Sequence, residues 1–143
     1  MNILIIQGPN LNLLGLRSAQ LGSNLTLDKI NKGIRRHVRN TEHTVKIIQT
    51  HKVDHAIAII QRNRNRVRGM LLAPTGWALH EFALRQTVEL IQTPVIEIHF
   101  THEYQLGIDP LQSIFREVCR ETLVGSPDTI FQTGIDHLLE IDG

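Results

Sequence analysis

The sequence has few of the features that place a protein outside the cell or in a membrane. Cys119 is its single cysteine, which excludes an internal disulfide framework and fits a reducing compartment. No apolar run comes near the ~18 residues that a membrane-spanning helix needs, and no basic-then-apolar leader opens the chain. We therefore expect a cytoplasmic protein with neither an export signal nor a membrane span.

The sequence also lacks an excess of charge of either sign. Lys and Arg number 15 against 14 Asp and Glu, and the formal net charge of +1 predicts neither nucleic-acid nor membrane binding. The most basic stretch contains Arg62, Arg64, Arg66 and Arg68 but no interleaved aromatic residue for base stacking. A solvated helix end is therefore favoured over a nucleic-acid site, and the role of this stretch stays open.

Strand-like and helix-like segments alternate along the chain. A length of 143 residues predicts one domain, residues 1–143, with a substantial core. Strands are predicted at residues 1–7, 44–49, 70–72, 95–99 and 122–125, and helices after Thr26, around residues 53–60 and over residues 77–90, 111–119 and 127–139. This alternation predicts an α/β fold built on a doubly wound sheet of five parallel strands.

The helical periodicity also predicts which side chains are buried. Thr26 is expected to cap the first helix, while the polar, glycine-bounded residues 16–23 are expected to be mobile. The predicted core residues of the helices are Ile30, Ile34 and Val38 in the first, Leu79, Phe82, Ala83 and Leu90 in the third, and Ile130, Phe131, Ile135 and Leu138 in the last.

The first strand ends in a loop of turn-forming residues. The run from Ile3 to Ile6 is too short for a helix and predicts a strand buried on both faces. The loop that follows is Gly8-Pro9-Asn10-Leu11-Asn12-Leu13-Leu14-Gly15. In an open parallel sheet such a loop lies at the carboxyl end of a strand, where these folds bind ligands. Residue chemistry alone favours an ordinary turn and a binding loop equally.

A second polar feature lies on the fourth strand. Glu97 and His99 are two residues apart and therefore share one face of the strand. There Glu97 could hold the His99 imidazole in one tautomer and make it a general acid. The alternative is a pair that only satisfies its own hydrogen bonds, and these residues alone favour that alternative. Loops that meet at this edge would add Asn10, Asn12 and Arg17.

Two stretches carry a resemblance to a known family. The loop octet followed by Arg17, and the later run Pro94-Val95-Ile96-Glu97-Ile98-His99, resemble type II 3-dehydroquinate dehydratases over almost the whole chain. The resemblance implies a flavodoxin-like three-layer sandwich with strand order 2-1-3-4-5 and helices on both faces. It also implies a lyase of the shikimate or quinate pathway that converts 3-dehydroquinate to 3-dehydroshikimate and water, and a dodecamer built from trimers. No cofactor or metal is expected.

The resemblance assigns roles to individual residues. His99 matches the family's acid, Glu97 the carboxylate that orients it, and Arg17 the lid arginine that helps to deprotonate the base. Asn10 and Asn12 belong to the binding loop. Thr101 stands where the family has a substrate-binding serine, and the backbone amides of Phe100 and Thr101 are expected to hold a substrate carboxylate.

Other family positions carry different residues here. Leu21, before Gly22, stands in place of the base tyrosine, Ala73 in place of a substrate-binding Asn and Leu79 in place of a His. Two arginine positions after the fourth strand are Leu106 and Pro110, and His102 replaces an Asn. Losing a general base alone costs ~10²- to 10⁴-fold in rate, so we expect weak, altered or lost activity.

Two hypotheses of different class therefore remain. The first is a dehydratase, or a lyase on a related hydroxylated cyclic acid, that has recruited Tyr104, His80 or His102 as a substitute. The second is a paralogue without this chemistry that keeps the scaffold and binds a small anion or a protein partner.

Overall fold

A sheet of five parallel strands forms the middle of the molecule in the computed structural model, which describes residues 2–141. The strands are β1 (Asn2–Gln7), β2 (Thr44–Gln49), β3 (Gly69–Ala73), β4 (Val95–Phe100) and β5 (Glu121–Gly125). Their order in the sheet is β2-β1-β3-β4-β5. The predicted strands and the strand order implied by the resemblance are both confirmed.

Helices cover both faces of this sheet. They are α1 (Leu14–Gln20), α2 (Leu27–Val38), α3 (Val53–Asn63), α4 (Phe82–Leu90) and α5 (Ile130–Glu140), with short 3₁₀ turns at Leu11–Leu13, Thr75–Leu79, His102–Tyr104 and Pro110–Gln112. Within residues 2–141, every helix is too short or too polar to cross a membrane.

The alternation of side chains along β1 shows how the three layers are joined. Ile3 and Ile5 pack with α2 and α5 on one face, and Leu4 and Ile6 pack with α3 and α4 on the other. All four are at most 1% exposed, as expected for a parallel strand with helices on both sides. The flavodoxin-like three-layer fold is therefore confirmed.

The predicted start and core face of α2 are also confirmed. The Thr26 side chain accepts a hydrogen bond from the Lys29 N–H at 3.3 Å and caps the first turn. Ile30, Ile34 and Val38, spaced four residues apart, are buried against the sheet.

The polar segment after the first loop, residues 16–23, is helical in its first part. Residues 14–20 form α1, whose buried face contains Leu14 and Ser18, one turn apart. The Ser18 hydroxyl accepts a hydrogen bond from the Leu25 N–H at 2.8 Å. The polar Ser18 side chain thus anchors the segment after α1 to this helix.

The helix predicted over residues 77–90 is broken in two. A 3₁₀ turn, Thr75–Leu79, ends at His80, and α4 begins at Phe82. The break shifts the buried face of the helix by part of a turn, so Leu84, Thr87 and Val88 are buried. All four predicted core residues are instead exposed: Leu79, Phe82 and Leu90 by 43%, 61% and 72%, and Ala83 as well.

The helix predicted over residues 111–119 does not form. Only Pro110–Gln112 adopt a 3₁₀ turn, and the rest of the segment is irregular. One amide bonds outside the segment, since the Ile114 N–H donates to Ala78 O at 2.9 Å. Others bond locally: the Phe115 N–H donates to Ser113 Oγ at 3.1 Å, and the Cys119 N–H donates to Phe115 O at 2.9 Å. Phe115 is completely buried, so its burial outweighs the helical pattern.

The basic stretch after α3 is mostly solvated, as predicted. Arg62, Arg64 and Arg66 are exposed. Arg68 is half-buried and donates to the carbonyl oxygens of Leu139 at 3.1 Å and Ile141 at 2.7 Å. This residue therefore binds carbonyls at the end of α5, where a cation is favourable.

Candidate functional site

The loops that follow β1 and β3 are joined at the carboxyl edge of the sheet. The Gly8 N–H donates to Ala73 O at 2.9 Å, and the Thr75 hydroxyl donates to Pro9 O at 2.7 Å. A Cβ atom at Gly8 would lie 2.6 Å from Pro74 O, so this close approach requires glycine. The two loops therefore form one wall of the predicted site.

Glu97 and His99 form a buried pair on β4. Glu97 is 0% exposed and His99 is 6% exposed. His99 Nε2 lies 2.7 Å from Glu97 Oε2. Because a carboxylate oxygen only accepts, the Nε2 atom carries the proton in this bond. Nδ1 has no hydrogen-bond partner among residues 2–141, and it is therefore the ring nitrogen available to a ligand.

Two hydroxyl groups complete the surroundings of the Glu97 carboxylate. Ser113 donates to Oε2, the oxygen that His99 also contacts, and Thr122 donates to Oε1 at 2.9 Å. Both oxygens of this buried charge are thus satisfied, as burial requires. Neither hydroxyl was identified in the sequence. Thr122 lies opposite Glu97 in the register of β4 and β5, which the structure sets. Ser113 lies in an irregular segment, where no sequence pattern indicates its contact with Glu97.

Cys119 lies close to this buried charge. Burial, followed by the negative charge of Glu97, raises the pKa of the Cys119 thiol well above its ordinary value. The thiol therefore stays protonated near neutral pH and is a poor nucleophile. Its half-buried position against the core agrees with the predicted structural role.

A small cavity lies beside His99 at the ends of β3 and β4. Its volume is about 20 Å³, which is room for about one water molecule. Thr75, His99 and Gln105 are the hydrogen-bonding side chains of its lining, and the other lining residues are Ala73, Ile98, Phe100, Leu106 and Ile108. Residues 105–108, which follow β4, thus close the space beside the imidazole.

Arg17 and Ser18 on α1 contact the 3₁₀ turn after β4. The Arg17 guanidinium is 3.4 Å from the backbone oxygen of Glu103, and the Tyr104 hydroxyl is 3.4 Å from Ser18 Oγ. Both are long hydrogen bonds and therefore weak. The structure thus brings Tyr104 against α1, next to the predicted lid arginine.

Asn10 and Asn12 lie at the mouth of the first loop with exposed side chains. Asn10 has a φ of 70°, a left-handed conformation that Asn tolerates better than most residues. In the described part of the chain, neither amide side chain makes a hydrogen bond. Both are therefore open to solvent or a ligand.

The two backbone amides expected to hold a carboxylate differ in availability. The Thr101 N–H donates to Gly125 O at 3.0 Å and is used by the sheet, while its hydroxyl donates to Glu103 Oε1 at 3.2 Å. Successive amides of a strand alternate in direction, so the Phe100 N–H faces β3. Pairing between β3 and β4 ends at Leu72 and Glu97, which leaves the Phe100 N–H beyond the paired region.

The two other histidines considered as substitutes are not brought to the cavity. His80 is 72% exposed and lies 3.8 Å from the Glu81 carboxylate. His102 is also exposed and begins the 3₁₀ turn after β4. Residues 2–141 contain no cluster of three or more His, Cys, Asp or Glu side chains that could hold a metal ion.

Comparison with known proteins gives the family. A family model described as Dehydroquinase class II matches residues 1–139. The chain belongs to this family. A relative from Clostridium botulinum named 3-dehydroquinate dehydratase is 31% identical over 104 residues, which are 73% of this chain and 71% of the relative. Another so named, from Campylobacter lari, is 26% identical over 125 residues, 87% of this chain and 78% of the relative.

Solved dehydroquinase structures share the fold. A type II dehydroquinase from Butyrivibrio crossotus superimposes with a TM-score of 0.85 at 24% identity, covering 98% of both chains. A type II dehydroquinase from Propionibacterium acnes superimposes with a TM-score of 0.78 at 19% identity, covering 96% of both chains. A 3-dehydroquinate dehydratase-like protein from Bifidobacterium longum gives 0.68 at 16% identity, covering 99% of both.

Among the residues expected to differ from the family pattern, two line this cavity and two are exposed. Ala73 and Leu106 line the cavity beside His99. Leu21 follows α1 and is 46% exposed, and Leu79 ends the 3₁₀ turn after β3 at 43% exposed. The apolar replacements in the lining beside His99 are thus Ala73 and Leu106.

Proposed function

We propose that this chain binds a small cyclic acid at the edge formed by the ends of β1, β3 and β4, and that it dehydrates 3-dehydroquinate weakly or not at all. In this proposal His99 is the acid, Glu97 orients it, and Arg17 closes over the ligand from α1. Asn10, Asn12 and the end of β4 at Phe100 and Thr101 bind the ligand.

One observation carries the proposal. The His99 and Glu97 pair is buried and hydrogen-bonded, while the cavity beside it holds about 20 Å³ and is closed by Leu106 and Ile108. This pair supports the assignment of His99 as the acid of the family reaction, but Leu21 stands where the base is expected. The leucine in place of the base argues against family-like turnover.

The reaction itself explains why the missing base matters. Loss of water from 3-dehydroquinate requires removal of a proton next to the ketone, and the resulting enolate then expels a hydroxyl group. His99 can protonate that leaving hydroxyl, but leucine cannot take up the first proton. Loss of a general base lowers the rate by ~10²- to 10⁴-fold. We therefore expect the site to retain ligand binding but to lose most of the turnover.

A second candidate function is a dehydratase in which Tyr104 is the base. It is favoured by the contact of Tyr104 with Ser18 and by the bond between Arg17 and the Glu103 carbonyl, both at 3.4 Å. These contacts join two neighbouring residues of α1, Arg17 and Ser18, to the neighbouring residues Glu103 and Tyr104. A modest shift of residues 102–108 is needed to open the cavity to the Tyr104 phenol.

The assembly and compartment follow from the family alone. We propose a homo-oligomer, up to a dodecamer built from trimers, in the cytoplasm and without a cofactor. Light scattering on the purified protein measures its mass directly, and a monomer at micromolar concentration contradicts this part of the proposal.

The decisive experiment measures turnover of 3-dehydroquinate by the ultraviolet absorbance of the enone product. The wild type is compared with the Arg17→Ala/His99→Ala double variant, with Tyr104→Phe, and with His51→Ala as a control for replacing an exposed histidine. We expect little or no turnover above the double variant. Robust turnover that Tyr104→Phe abolishes and His51→Ala preserves contradicts the first proposal and establishes the second.

A further inference from the structure

The cavity beside His99 suits a carboxyl group better than a ring of hydroxyl groups. We infer that the ligand of this site is a small carboxylic acid with an apolar ring. The inference rests on the proposed function, because it names the class of acid that the same site takes.

The cavity lining has few hydrogen-bonding groups, about as many as one carboxyl group uses. Nδ1 of His99 donates to a carboxylate when the imidazole is charged and accepts from a carboxylic acid when it is neutral. The Phe100 N–H, beyond the end of the β3 and β4 pairing, supplies a second donor. The Thr75 hydroxyl is already committed to Pro9 O at 2.7 Å. One carboxyl group thus uses most of the available hydrogen bonds.

The remaining lining gives ring hydroxyls little to bind. Gln105 is the one uncommitted polar side chain, while Leu106 and Ile108 close the cavity from the segment after β4. Ile108 is 5% exposed. A hydroxyl buried here loses its hydrogen bonds to water without replacing them, which weakens binding about tenfold or more for each group.

A ring enters this site by taking the place of Leu106. The cavity of about 20 Å³ does not accommodate a ring, whereas the half-buried Leu106 occupies adjoining space. Gly107, with a φ of 83° and open space around its Cα, lies next to Leu106 and gives the segment a pivot. When an apolar ring replaces the apolar Leu106 side chain, no polar group is left without a hydrogen bond. The hydroxyl groups of a hydroxylated ring would be left without partners.

The test compares two acids that share one carbon skeleton. Cyclohexanecarboxylate and quinate both carry a carboxylate on a six-membered ring, and quinate adds ring hydroxyls. Titration calorimetry on the whole protein gives both dissociation constants. We expect cyclohexanecarboxylate to bind at least about tenfold more tightly than quinate.

Variants locate the binding and its selectivity. His99→Ala is expected to weaken both acids at least about tenfold, and His51→Ala to weaken neither. Leu106→Ser, which adds a hydroxyl to the lining, is expected to narrow the preference for the apolar acid. Retained circular dichroism spectra show that each variant is folded.

The outcomes separate this inference from the function on which it rests. Tighter binding of quinate that depends on His99 overturns the apolar ring but supports a cyclic-acid site. Binding of neither acid at millimolar concentration overturns both. Preference for cyclohexanecarboxylate that His99→Ala leaves unchanged also overturns the inference, because the acid then binds elsewhere.

Discussion

The two halves of the candidate site are held to the sheet in different ways. Glu97 and His99 are strand residues with a 2.7 Å hydrogen bond in the interior, whereas Arg17 lies on α1 and reaches residues 102–104 through a bond of 3.4 Å. The first pair must stay intact because a buried charge without partners is costly. The contacts of Arg17 and Ser18 with residues 103–104, here called the lid contacts, carry no such penalty. Catalytic side chains in this lid can therefore be replaced while the fold persists.

The largest difference between the halves is expected for Glu97→Ala. This change leaves three buried or half-buried donors, on His99, Ser113 and Thr122, without their acceptor. We expect it to lower the free energy of unfolding by about 3–5 kcal/mol, as measured by urea denaturation. The control is Glu89→Ala on the exposed face of α4, with an expected change of less than about 0.5 kcal/mol. Equal effects would remove the distinction between the halves.

A smaller effect in the same half is expected for Thr122→Val. Valine keeps the shape of threonine but cannot donate to Glu97 Oε1, a bond of 2.9 Å. Hydrogen bonds to a charged group contribute more than neutral ones, so we expect a loss of about 1–2 kcal/mol. Thr133→Val, the same exchange at an exposed position of α5, is the matched control. A neutral result at Thr122 would mean that the other donors satisfy the carboxylate.

Alkaline pH should reveal the burial of Cys119 beside Glu97. Because burial raises the pKa of the folded thiol, this group adds stability below its ordinary value of 9.0, and that contribution is lost as the pH rises above it. Between pH 9.0 and one pH unit above it, the unfolding free energy of the wild type should fall by about 1 kcal/mol more than that of Cys119→Ala. Parallel pH profiles for the two proteins would contradict the raised pKa.

The smallest effect on stability is expected in the lid. Arg17→Ala removes a long, half-exposed hydrogen bond to Glu103 O, so the unfolding free energy should change by less than about 0.5 kcal/mol. Binding of a cyclic acid should nevertheless weaken, since the guanidinium is proposed to close over it. Thermal unfolding and calorimetry of one sample measure both. A large loss of stability would show that the lid, like the β4 pair, belongs to the core.

Part of the candidate site was predictable because strand geometry is regular. Glu97 and His99 are two residues apart, so any strand at that position puts them on one face. Tyr104 was a weaker prediction, because its contact with Ser18 depends on how α1 packs against the 3₁₀ turn after β4. Ser113 donates to Glu97 from an irregular segment, and no periodicity in that segment indicates it.

The errors in the helices have a similar cause. Residues 111–119 have a helical pattern, but the segment is irregular after Gln112 and Phe115 within it is completely buried. In residues 77–90 the break near His80 changes which face of α4 meets the sheet. Local propensity is worth a fraction of a kcal/mol per residue, ~0.5 on average. Burial of one large side chain is worth ~2 kcal/mol or more, so tertiary packing decided both cases.

Local patterns predicted the individual strands, the buried face of α2 and the shared face of Glu97 and His99, since each depends on residues close together in the chain with a regular period. The tertiary structure alone decided how Ser113 and Thr122 surround Glu97, how residues 105–108 close the cavity, and where Tyr104 meets α1. These contacts join segments up to 86 residues apart, and their geometry depends on how the layers pack rather than on any local pattern.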